Sequence, residues 1–252
     1  MNFCYNLFMK RLLIIIPTYN EKKNIKKIFT EINSLLPGFD HLNIELLIVD
    51  DNSPDNTGGY TLELKKEFNF INLLQREKKQ GLGRSYLSGI EWGVERKFDY
   101  FLLMDGDGSH SCKYIKDFVR YLEDGYEYIT GSRYLFGVSV VNWSITRLFL
   151  SYSANKFIRF ILGIPLKDVT SGFKAFNYRY ASEIIKKKIK STGYAFHFET
   201  TFIAYISKFK MKEFPIIFIE RRWGRSKLSK KIMFESFFRV FFLKFRYLFK
   251  KS

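Results

Sequence analysis

Short apolar runs separated by helical periods dominate the first half of the chain. Leu12–Ile16 and Ile44–Val49 are continuous apolar runs with the length of buried strands. Between them, apolar residues recur every three or four positions, as on one face of a helix. Further strands are predicted around Ile71–Leu74 and at Tyr100–Met104, and further helices at Tyr60–Phe68 and Arg84–Glu95. This βαβαβ series predicts an α/β fold with a mainly parallel, Rossmann-like sheet flanked by helices.

The second half of the chain has a less regular pattern, without an internal repeat or a low-complexity linker. We predict in turn a strand, an aromatic-rich amphipathic stretch, a loop, a helix and a last strand, at Tyr128–Gly131, Val138–Leu162, Asp168–Phe173, Tyr180–Lys190 and Phe214–Glu220. A basic, phenylalanine-rich segment follows. The sequence therefore predicts a single domain over residues 1–228 and an amphipathic tail over residues 229–252.

The tail has the pattern of an amphipathic helix. One helical face is apolar and consists of Phe234, Phe237, Phe238, Phe241, Phe245, Leu248 and Phe249. The opposite face is charged and includes Glu235, Arg239, Arg246 and Lys250. Such a helix can lie in a bilayer interface, bind a membrane-spanning subunit or pack on the protein's own core. Its richness in phenylalanine favours binding to a bilayer interface or to a membrane-spanning subunit. No stretch of the chain reaches the roughly 18 uncharged apolar residues of a membrane span.

The charge balance indicates an anionic partner. The chain of 252 residues has 42 Lys+Arg against 25 Asp+Glu, a net charge of +17, which suits nucleic acid, a membrane surface or phosphorylated ligands. The 28 Phe and 16 Tyr favour lipid. Nucleic acid is not predicted as a partner, because no RNA-binding module is recognisable and the basic residues are spread along the chain.

The cysteine content and the N-terminus predict where the protein is found. Two cysteines without metal or disulfide spacing indicate a reducing compartment. Lys10 and Arg11 precede an apolar run that is too short for a signal peptide, and Met9 is an alternative start to Met1. With the amphipathic tail, these features predict a peripheral membrane protein on the cytoplasmic face.

Acidic residues follow two of the predicted strands. Asp50-Asp51 and Asp105-Gly106-Asp107 both fall at strand ends, where ligands bind in parallel α/β sheets. Two carboxylates that flank one small residue can share a divalent cation with a diphosphate, and hard oxygen ligands suit Mg²⁺ or Mn²⁺. An EF-hand is excluded, because His110 and Lys116 occupy the positions that require Gly and Glu. Near the C-terminus, Arg221 and Lys227 belong to a basic loop that can bind phosphate.

The motifs, taken in order, resemble the dolichyl/polyprenyl-phosphate mannose synthase group of the family-2 glycosyltransferases, which have the GT-A fold. They span nearly the whole chain: Pro17–Glu21, Ile48–Thr57, Lys78–Tyr86, Met104–His110, Gly131–Tyr134, Asp168–Phe176, Gly193–Glu199 and Glu220–Ser229. The two last motifs narrow the resemblance to enzymes with polyprenyl-phosphate acceptors. One departure is Gly108, which replaces a bulkier residue and is expected to loosen its loop.

The resemblance implies roles for individual residues. The nucleoside would be held by Pro17, Tyr19, Glu21, Val49 and Asp51. The diphosphate and a Mg²⁺ or Mn²⁺ ion would be bound by Asp105, Gly106, Asp107 and Ser109, with Asp105, Asp107 and Ser109 as metal ligands. The sugar pocket would be shaped by Asp168, Ser171 and Gly172. The donor and acceptor phosphates would be contacted by Arg133, Arg221 and Lys227, which with Asp107 form the catalytic set.

The implied reaction moves a sugar, mannose from GDP-mannose, onto a polyprenyl monophosphate in one in-line displacement with inversion. A monophosphate with a second pKa near ~6 is already an anionic nucleophile at neutral pH, so the reaction needs no catalytic base. Two alternatives remain: a glucosyl- or aminopentosyltransferase that uses a UDP-sugar with the same lipid carrier, and a transferase with a hydroxyl acceptor. Ile219 occupies the position where transferases with a hydroxyl acceptor have Gln, and this difference argues against a hydroxyl acceptor.

Overall fold

A computed structural model describes residues 9–187, 189, 191, 193–220 and 230–248. The strands are β1 Lys10–Thr18, β2 Leu42–Asp50, β3 Ile71–Gln75, β4 Tyr100–Leu103, β5 Tyr128–Ser132, β6 Val140–Val141, β7 Lys174–Asn177, β8 Met211–Pro215 and β9 Phe218–Ile219. The helices are α1 Lys22–Leu35, α2 Thr57–Leu64, α3 Leu82–Glu95, α4 Ile115–Glu123, α5 Ile145–Leu162, α6 Tyr178–Lys186, α7 Ala195–Ile206 and α8 Lys230–Leu248. All of the strands and helices predicted in the first half are present, with ends that differ by a few residues.

The central sheet has seven strands in the order β3-β2-β1-β4-β7-β5-β8. β3, β2, β1 and β4 are parallel neighbours. β7 pairs antiparallel with both β4 and β5, which makes β5 parallel to the first four strands. A short parallel pair, β6 and β9, lies outside this sheet. The mainly parallel, helix-flanked sheet expected from the sequence is thus confirmed.

The alternation of side chains along each strand divides the core into two layers. Leu13 and Ile15 on β1 point to one face of the sheet, where α3, α6 and α7 pack. Ile14 and Ile16 point to the other face, towards α1, α2 and α4. Because successive side chains of a strand point to opposite faces, one uninterrupted apolar run supplies both layers.

Two parts of the second half differ from the prediction. The single strand predicted over Phe214–Glu220 is two strands, since β8 ends at Pro215 and β9 joins β6 instead of the central sheet. The structure also contains an antiparallel strand, β7, and the helices α4 and α7, which the sequence pattern had not indicated to us. The helix predicted near Tyr180–Lys190 is α6, and Lys190 lies outside the described residues.

The amphipathic stretch and the tail form two helices that pack together. α5 and α8 are in contact, and the ring of Phe157 stacks on that of Phe237 with centroids 5.3 Å apart. α8 buries Val240 and Leu243 completely in the core. Arg239, on the predicted charged face, forms a largely buried ion pair with Glu199 of α7 at 2.9 Å. Within the part of the chain that the structure describes, no helix has both the length and the apolarity needed to cross a bilayer.

Candidate active site

The predicted site residues gather at the carboxyl edge of the central sheet. β1, β2, β4 and β5 all end at this edge. β7 runs the other way, and its first residue, Lys174, pairs with Leu103, the last residue of β4. The loop that leads into β7 therefore lies at the same edge as the acidic residues that follow β2 and β4. This is the position where α/β sheets bind their ligands.

Asp50, the last residue of β2, fixes the turn that follows it. Its carboxylate is buried and accepts hydrogen bonds from Thr18 Oγ1 at 2.9 Å, the Ser53 backbone N–H at 3.0 Å and Gln75 Nε2 at 2.9 Å. These donors come from the ends of β1 and β3, the two strands that flank β2, and from the turn. Because they satisfy both carboxylate oxygens, we assign Asp50 a structural role at the edge.

Asp51 forms a buried ion pair with Arg76. Arg76 Nη1 donates to Asp51 Oδ1 at 2.9 Å, and Ser85 Oγ donates to the same oxygen at 3.0 Å. The two charged side chains are 10% and 5% exposed. Burial raises the pKa of Asp51, and the charge of Arg76 opposes this rise. Our sequence analysis missed Arg76, although it directly follows β3 and therefore falls at the same edge as Asp51.

The segment Pro17–Glu21 lies beside the second acidic motif. A Cβ added to Gly106 would lie 3.1 Å from the backbone oxygen of Pro17, so glycine permits this close approach. Lys79 Nζ lies 3.8 Å from the centroid of the Tyr19 ring, and Glu21 is buried. Val49 differs from these residues, because its side chain is fully buried in the core beneath α3. Only its backbone could reach a nucleoside.

Neutral hydrogen bonds hold Asp105 in place. The Tyr86 hydroxyl donates to Asp105 Oδ1 at 2.7 Å, and the Asp105 backbone N–H donates to His110 Nδ1 at 3.1 Å. The Tyr86 ring is fully buried and stacks on Phe196 with centroids 5.6 Å apart. Burial raises the pKa of Tyr86 well above its usual range, and Asp105 raises it further, so the hydroxyl remains a donor. The sequence motifs contained Tyr86 and His110 but gave no sign of these contacts.

His110 supports the acidic loop from within the core. Its ring is 3% exposed and stacks on Phe173 with centroids 4.6 Å apart. Burial lowers the pKa of His110, which keeps the ring neutral at neutral pH. Since Nδ1 accepts the bond from Asp105, the ring proton is on Nε2.

A tight turn brings Asp107 and Ser109 together. Asp107 Oδ1 accepts the Ser109 backbone N–H at 3.1 Å, and Gly108 between them has a φ of +77°. This left-handed conformation disfavours the bulkier residue usual at position 108. The structure thus gives a reason for the glycine that we had expected to loosen the loop.

The donor set of this loop fits a hard divalent cation. It offers the carboxylates of Asp105 and Asp107 and the hydroxyl of Ser109, all of them oxygen ligands. Among the described residues, no group of three or more His, Cys, Asp and Glu side chains is placed to hold a metal. Ligands of a bound ion would therefore have to come in part from water or substrate, as is common for Mg²⁺.

Arg133 and Asp168 form a buried, bidentate ion pair between β5 and the loop before β7. Arg133 Nε donates to Asp168 Oδ2 at 2.7 Å, and Nη2 donates to Oδ1 at 2.9 Å. Burial acts to raise the pKa of Asp168, but the charge and hydrogen bonds of Arg133 outweigh it and hold that pKa below its usual value. Thr170 also donates to this carboxylate. Both oxygens of Asp168 are thus occupied by protein donors.

The remaining residues of the predicted sugar pocket line the same loop. Ser171 Oγ accepts the Phe173 backbone N–H at 3.3 Å and is buried. A Cβ on Gly172 would lie 3.3 Å from Asp105 Oδ2 and 3.3 Å from His197 Cε1. Gly172 therefore separates the acidic loop from a histidine of α7 that our sequence analysis did not select.

A second arginine, Arg147, lies near the same tryptophan ring as Arg133. Arg147 of α5 packs over the Trp143 ring, 4.3 Å from its centroid, and forms an ion pair with Glu220. The guanidinium carbon of Arg133 lies 5.8 Å from the centroid of the same ring. Two guanidinium groups therefore flank one tryptophan at the edge of the site. The predicted phosphate contacts Arg221 and Lys227 lie outside the described residues and stay predictions.

Comparison with known proteins gives similarity over most of the chain. Residues 13–185 match the family described as Glycosyl transferase family 2. Polyprenol monophosphomannose synthase of Mycolicibacterium smegmatis is 36% identical over 232 residues, which are 92% of this chain and 86% of that protein. Undecaprenyl-phosphate mannosyltransferase of Micrococcus luteus is 35% identical over 227 residues, 90% of each chain.

Solved structures share the fold at low sequence identity. Glucosyl-3-phosphoglycerate synthase from Mycobacterium tuberculosis, crystallised with Mn²⁺, uridine diphosphate and phosphoglyceric acid, has a TM-score of 0.65. The match covers 93% of this chain and 78% of that one, with 15% identity. At this identity the likeness supports the architecture alone.

Proposed function

The chain belongs to glycosyltransferase family 2, and we propose that it transfers mannose from GDP-mannose to a polyprenyl monophosphate with inversion at the anomeric carbon. The observation that carries this proposal is the similarity over nine tenths of the chain to two enzymes named for mannose transfer to polyprenyl phosphates. The enzyme class, a glycosyltransferase, follows from the family itself. The donor nucleotide and the residue roles below are parts of the proposal.

The order of the strands suggests how the donor lies across the site. Asp51 and Pro17–Glu21 stand at the ends of β2 and β1, followed along the sheet by Asp105–Ser109 after β4 and by the loop before β7. A nucleoside diphosphate sugar is a linear molecule with its diphosphate in the middle. With the nucleoside at β2 and β1, the diphosphate falls at β4 and the sugar beside Ser171 and Gly172.

A divalent cation, Mg²⁺ or Mn²⁺, completes the diphosphate site in this proposal. Asp105, Asp107 and Ser109 would hold it, and when bound it would neutralise negative charge on the departing nucleoside diphosphate. Tyr86 orients one of these ligands through its hydrogen bond to Asp105. Because these contacts exist before substrate binds, the carboxylate needs little rearrangement.

The acceptor chemistry accounts for the state of Asp168. A hydroxyl acceptor requires a base to remove its proton, whereas a polyprenyl monophosphate is already anionic at neutral pH. Asp168 is fully buried and both its oxygens receive donors from Arg133 and Thr170. A carboxylate with a lowered pKa and no vacant oxygen is poorly suited to accept a proton. This environment favours the phosphate acceptor over a hydroxyl.

Guanidinium donors at the same edge suit two phosphorylated substrates, although each of the two described arginines also has a carboxylate partner. Arg133 and Arg147 flank Trp143, and guanidinium groups bind phosphate oxygens in pairs. We propose that Arg133 contacts phosphate through the donors that Asp168 does not occupy. Arg221 and Lys227 add phosphate contacts in this proposal.

An exposed aromatic surface next to the site supports membrane association. We define the apolar surface as Phe149 and Phe160 on α5 and Phe238, Phe242 and Phe245 on α8, which are 49–83% exposed. Lys156 on α5 is exposed within it, as suits anionic lipid. Phe237 is also exposed, whereas Phe241 is half-buried against Phe157. We propose that this surface binds the cytoplasmic face of the membrane that contains the acceptor.

The test of the reaction is transfer of radiolabelled mannose from GDP-mannose to a short polyprenyl phosphate with Mg²⁺ and detergent. We expect label in the organic phase, its loss with EDTA, and a large loss in Asp107→Ala at saturating Mg²⁺. The control Asp40→Ala changes an exposed carboxylate far from the site and should keep activity. Label in the organic phase from UDP-glucose instead of GDP-mannose would mean that another sugar is transferred by the same mechanism. An active Asp107→Ala would refute the metal site.

The membrane proposal is tested with point variants. Deleting α8 would remove the buried Val240 and Leu243 and uncover the core residues that they pack against, so a truncated chain would lose part of its core. Phe160→Ser with Phe238→Ser removes apolar area that is already exposed. We expect less sedimentation with anionic vesicles, while Leu62→Ser on α2, also exposed, should sediment as the wild type does. Unchanged sedimentation, or binding only in the presence of a membrane subunit, would overturn direct lipid contact.

A further inference from the structure

The backbone of α7 holds His197 firmly at the edge of the candidate site. His197 lies in the first turn of the helix, and its backbone N–H donates to the Tyr194 oxygen at 3.1 Å. Its backbone oxygen accepts bonds from Lys174 Nζ at 2.5 Å and Thr201 Oγ1 at 2.9 Å. With its backbone fixed to α7 and to β7, the position of the imidazole is set by the fold.

The imidazole ring borders the same small space as the acidic loop. His197 Cε1 and Asp105 Oδ2 each lie 3.3 Å from the point that a Cβ on Gly172 would occupy. The rings of Tyr86 and Phe196 meet the imidazole edge-on, with centroids 5.8 and 5.7 Å away. Aromatic walls thus enclose the histidine on one side, and Gly172 leaves the side towards Asp105 without a side chain.

His197 has a buried nitrogen that the protein does not satisfy. The residue is 2% exposed, and no described residue forms a hydrogen bond with Nδ1. Buried polar atoms without a partner are rare in native proteins, and each destabilises the fold. Burial lowers the pKa of His197 well below its usual value, so the ring is neutral and Nδ1 can serve as the donor or the acceptor for an uncharged ligand.

We propose that His197 Nδ1 forms a hydrogen bond with a hydroxyl group of the sugar being transferred, and that His197 thereby helps to select the sugar. The inference rests on the proposed function, which places the diphosphate at Asp105 and the sugar beyond it, beside Gly172. A neutral imidazole suits a sugar hydroxyl, and a site built to bond a hydroxyl discriminates strongly against a sugar that lacks it.

The test compares two substitutions of similar size. His197→Asn keeps a polar amide atom close to the position of Nδ1, whereas His197→Leu fills the space without one. For His197→Leu we expect a loss in kcat/KM of about 10- to 100-fold, the range for a buried polar group that loses its partner. GDP affinity should not change, and His197→Asn should keep most of the activity. Circular dichroism and thermal melting verify that both variants fold.

Monodeoxy analogues of GDP-mannose identify the bond itself. For the analogue that lacks the bonded hydroxyl, wild type and His197→Leu should turn over at the same rate, whereas the other analogues should retain the difference. Any of three results would overturn the inference: the same loss in kcat/KM for every analogue, an equal loss of GDP affinity, or full activity of His197→Leu. These results include the case in which Nδ1 bonds only water.

A binding experiment separates this inference from the proposed function. Calorimetry with GDP-mannose and GDP, or with UDP-glucose and UDP if only that pair binds, measures the part of the affinity that the sugar supplies. If the wild type binds the sugar nucleotide without transferring it to polyprenyl phosphate, the proposed function fails. The inference still stands if His197→Leu removes the sugar's share of the affinity, and it falls if that share is unchanged.

Discussion

A buried lysine beneath the site gives the fold a predictable dependence on pH. Lys174, the first residue of β7, is 0% exposed, and its amine donates to the His197 oxygen at 2.5 Å and to Thr201 Oγ1 at 2.6 Å. Both acceptors are uncharged, and no described carboxylate forms an ion pair with it. Burial lowers the pKa of Lys174 well below its usual 10.5, with the Asp168 carboxylate opposing and Arg133 adding to the effect. We therefore expect a neutral amine in the folded protein.

The sign of the pH dependence follows from proton counting. Between the lowered folded pKa and the unfolded value of 10.5, the unfolded chain carries a proton on Lys174 that the folded chain does not. The free energy of unfolding then rises with pH by about 1.4 kcal/mol per unit from this group alone. Over two pH units within this window the contribution is about 2.7 kcal/mol. As pH falls through the window, this stability is lost.

Urea unfolding of the wild type and Lys174→Met at pH 7.5, 8.5 and 9.5 measures the effect. Methionine fills a similar volume and cannot titrate, so other groups cancel in the difference between the two proteins. We expect the free energy of unfolding of the wild type to rise relative to that of Lys174→Met as pH increases, by up to about 2.7 kcal/mol over the range. Lys116→Met, on the exposed side of α4, is the control and should not reproduce the slope. Parallel curves for wild type and Lys174→Met would show that the buried amine is charged, and would refute the argument.

Three further substitutions probe the site. Asp168→Asn leaves Arg133 buried without its partner and should lower the free energy of unfolding by about 3–5 kcal/mol in urea titrations at neutral pH. Because the pKa of Asp168 is depressed, the difference from wild type should shrink as pH falls through that pKa. Tyr86→Phe removes only the hydroxyl bonded to Asp105, so the Mg²⁺ concentration for half-maximal activity should rise while the melting temperature falls slightly. Gly172→Ala places a methyl group 3.3 Å from Asp105 Oδ2 and should lower kcat more than stability, as paired rate and melting measurements would reveal.

The parallel half of the fold could be predicted because its strands are uninterrupted apolar runs. β1 and β2 supply side chains to both core layers, so nearly every position is apolar. β7 has four residues and begins with a buried lysine, which breaks that pattern. α7 was missed for a different reason. Its residues from Ala195 to Ala204 are all buried, so the helix has no polar face and no helical period.

The acidic residues of the site could be predicted because the ends of parallel strands share one edge. The same rule applied to Arg76 would have found the partner of Asp51. Tyr86, His110 and His197 were beyond this rule, since the sequence spacing of a buried aromatic or imidazole side chain does not tell which way it points. Only the structure shows that the polar atoms of Tyr86 and His110 lie towards Asp105. It also shows that Nδ1 of His197 has no hydrogen-bond partner among the described residues.

The carboxylates at the edge differ in the groups that the protein places against them. Asp51 and Asp168 each have a buried arginine, whereas both oxygens of Asp50 are occupied by neutral donors from the ends of β1 and β3 and from the turn. Asp105, in contrast, accepts a hydrogen bond from the Tyr86 hydroxyl at Oδ1, and its backbone N–H donates a hydrogen bond to the neutral His110. Neutral donors orient a carboxylate without removing its charge, so a cation brought with the substrate gains the full electrostatic attraction. We therefore expect substitutions at Asp50 and Asp168 to reduce stability first, and substitutions at Asp105 to reduce metal-dependent turnover in a protein that still folds.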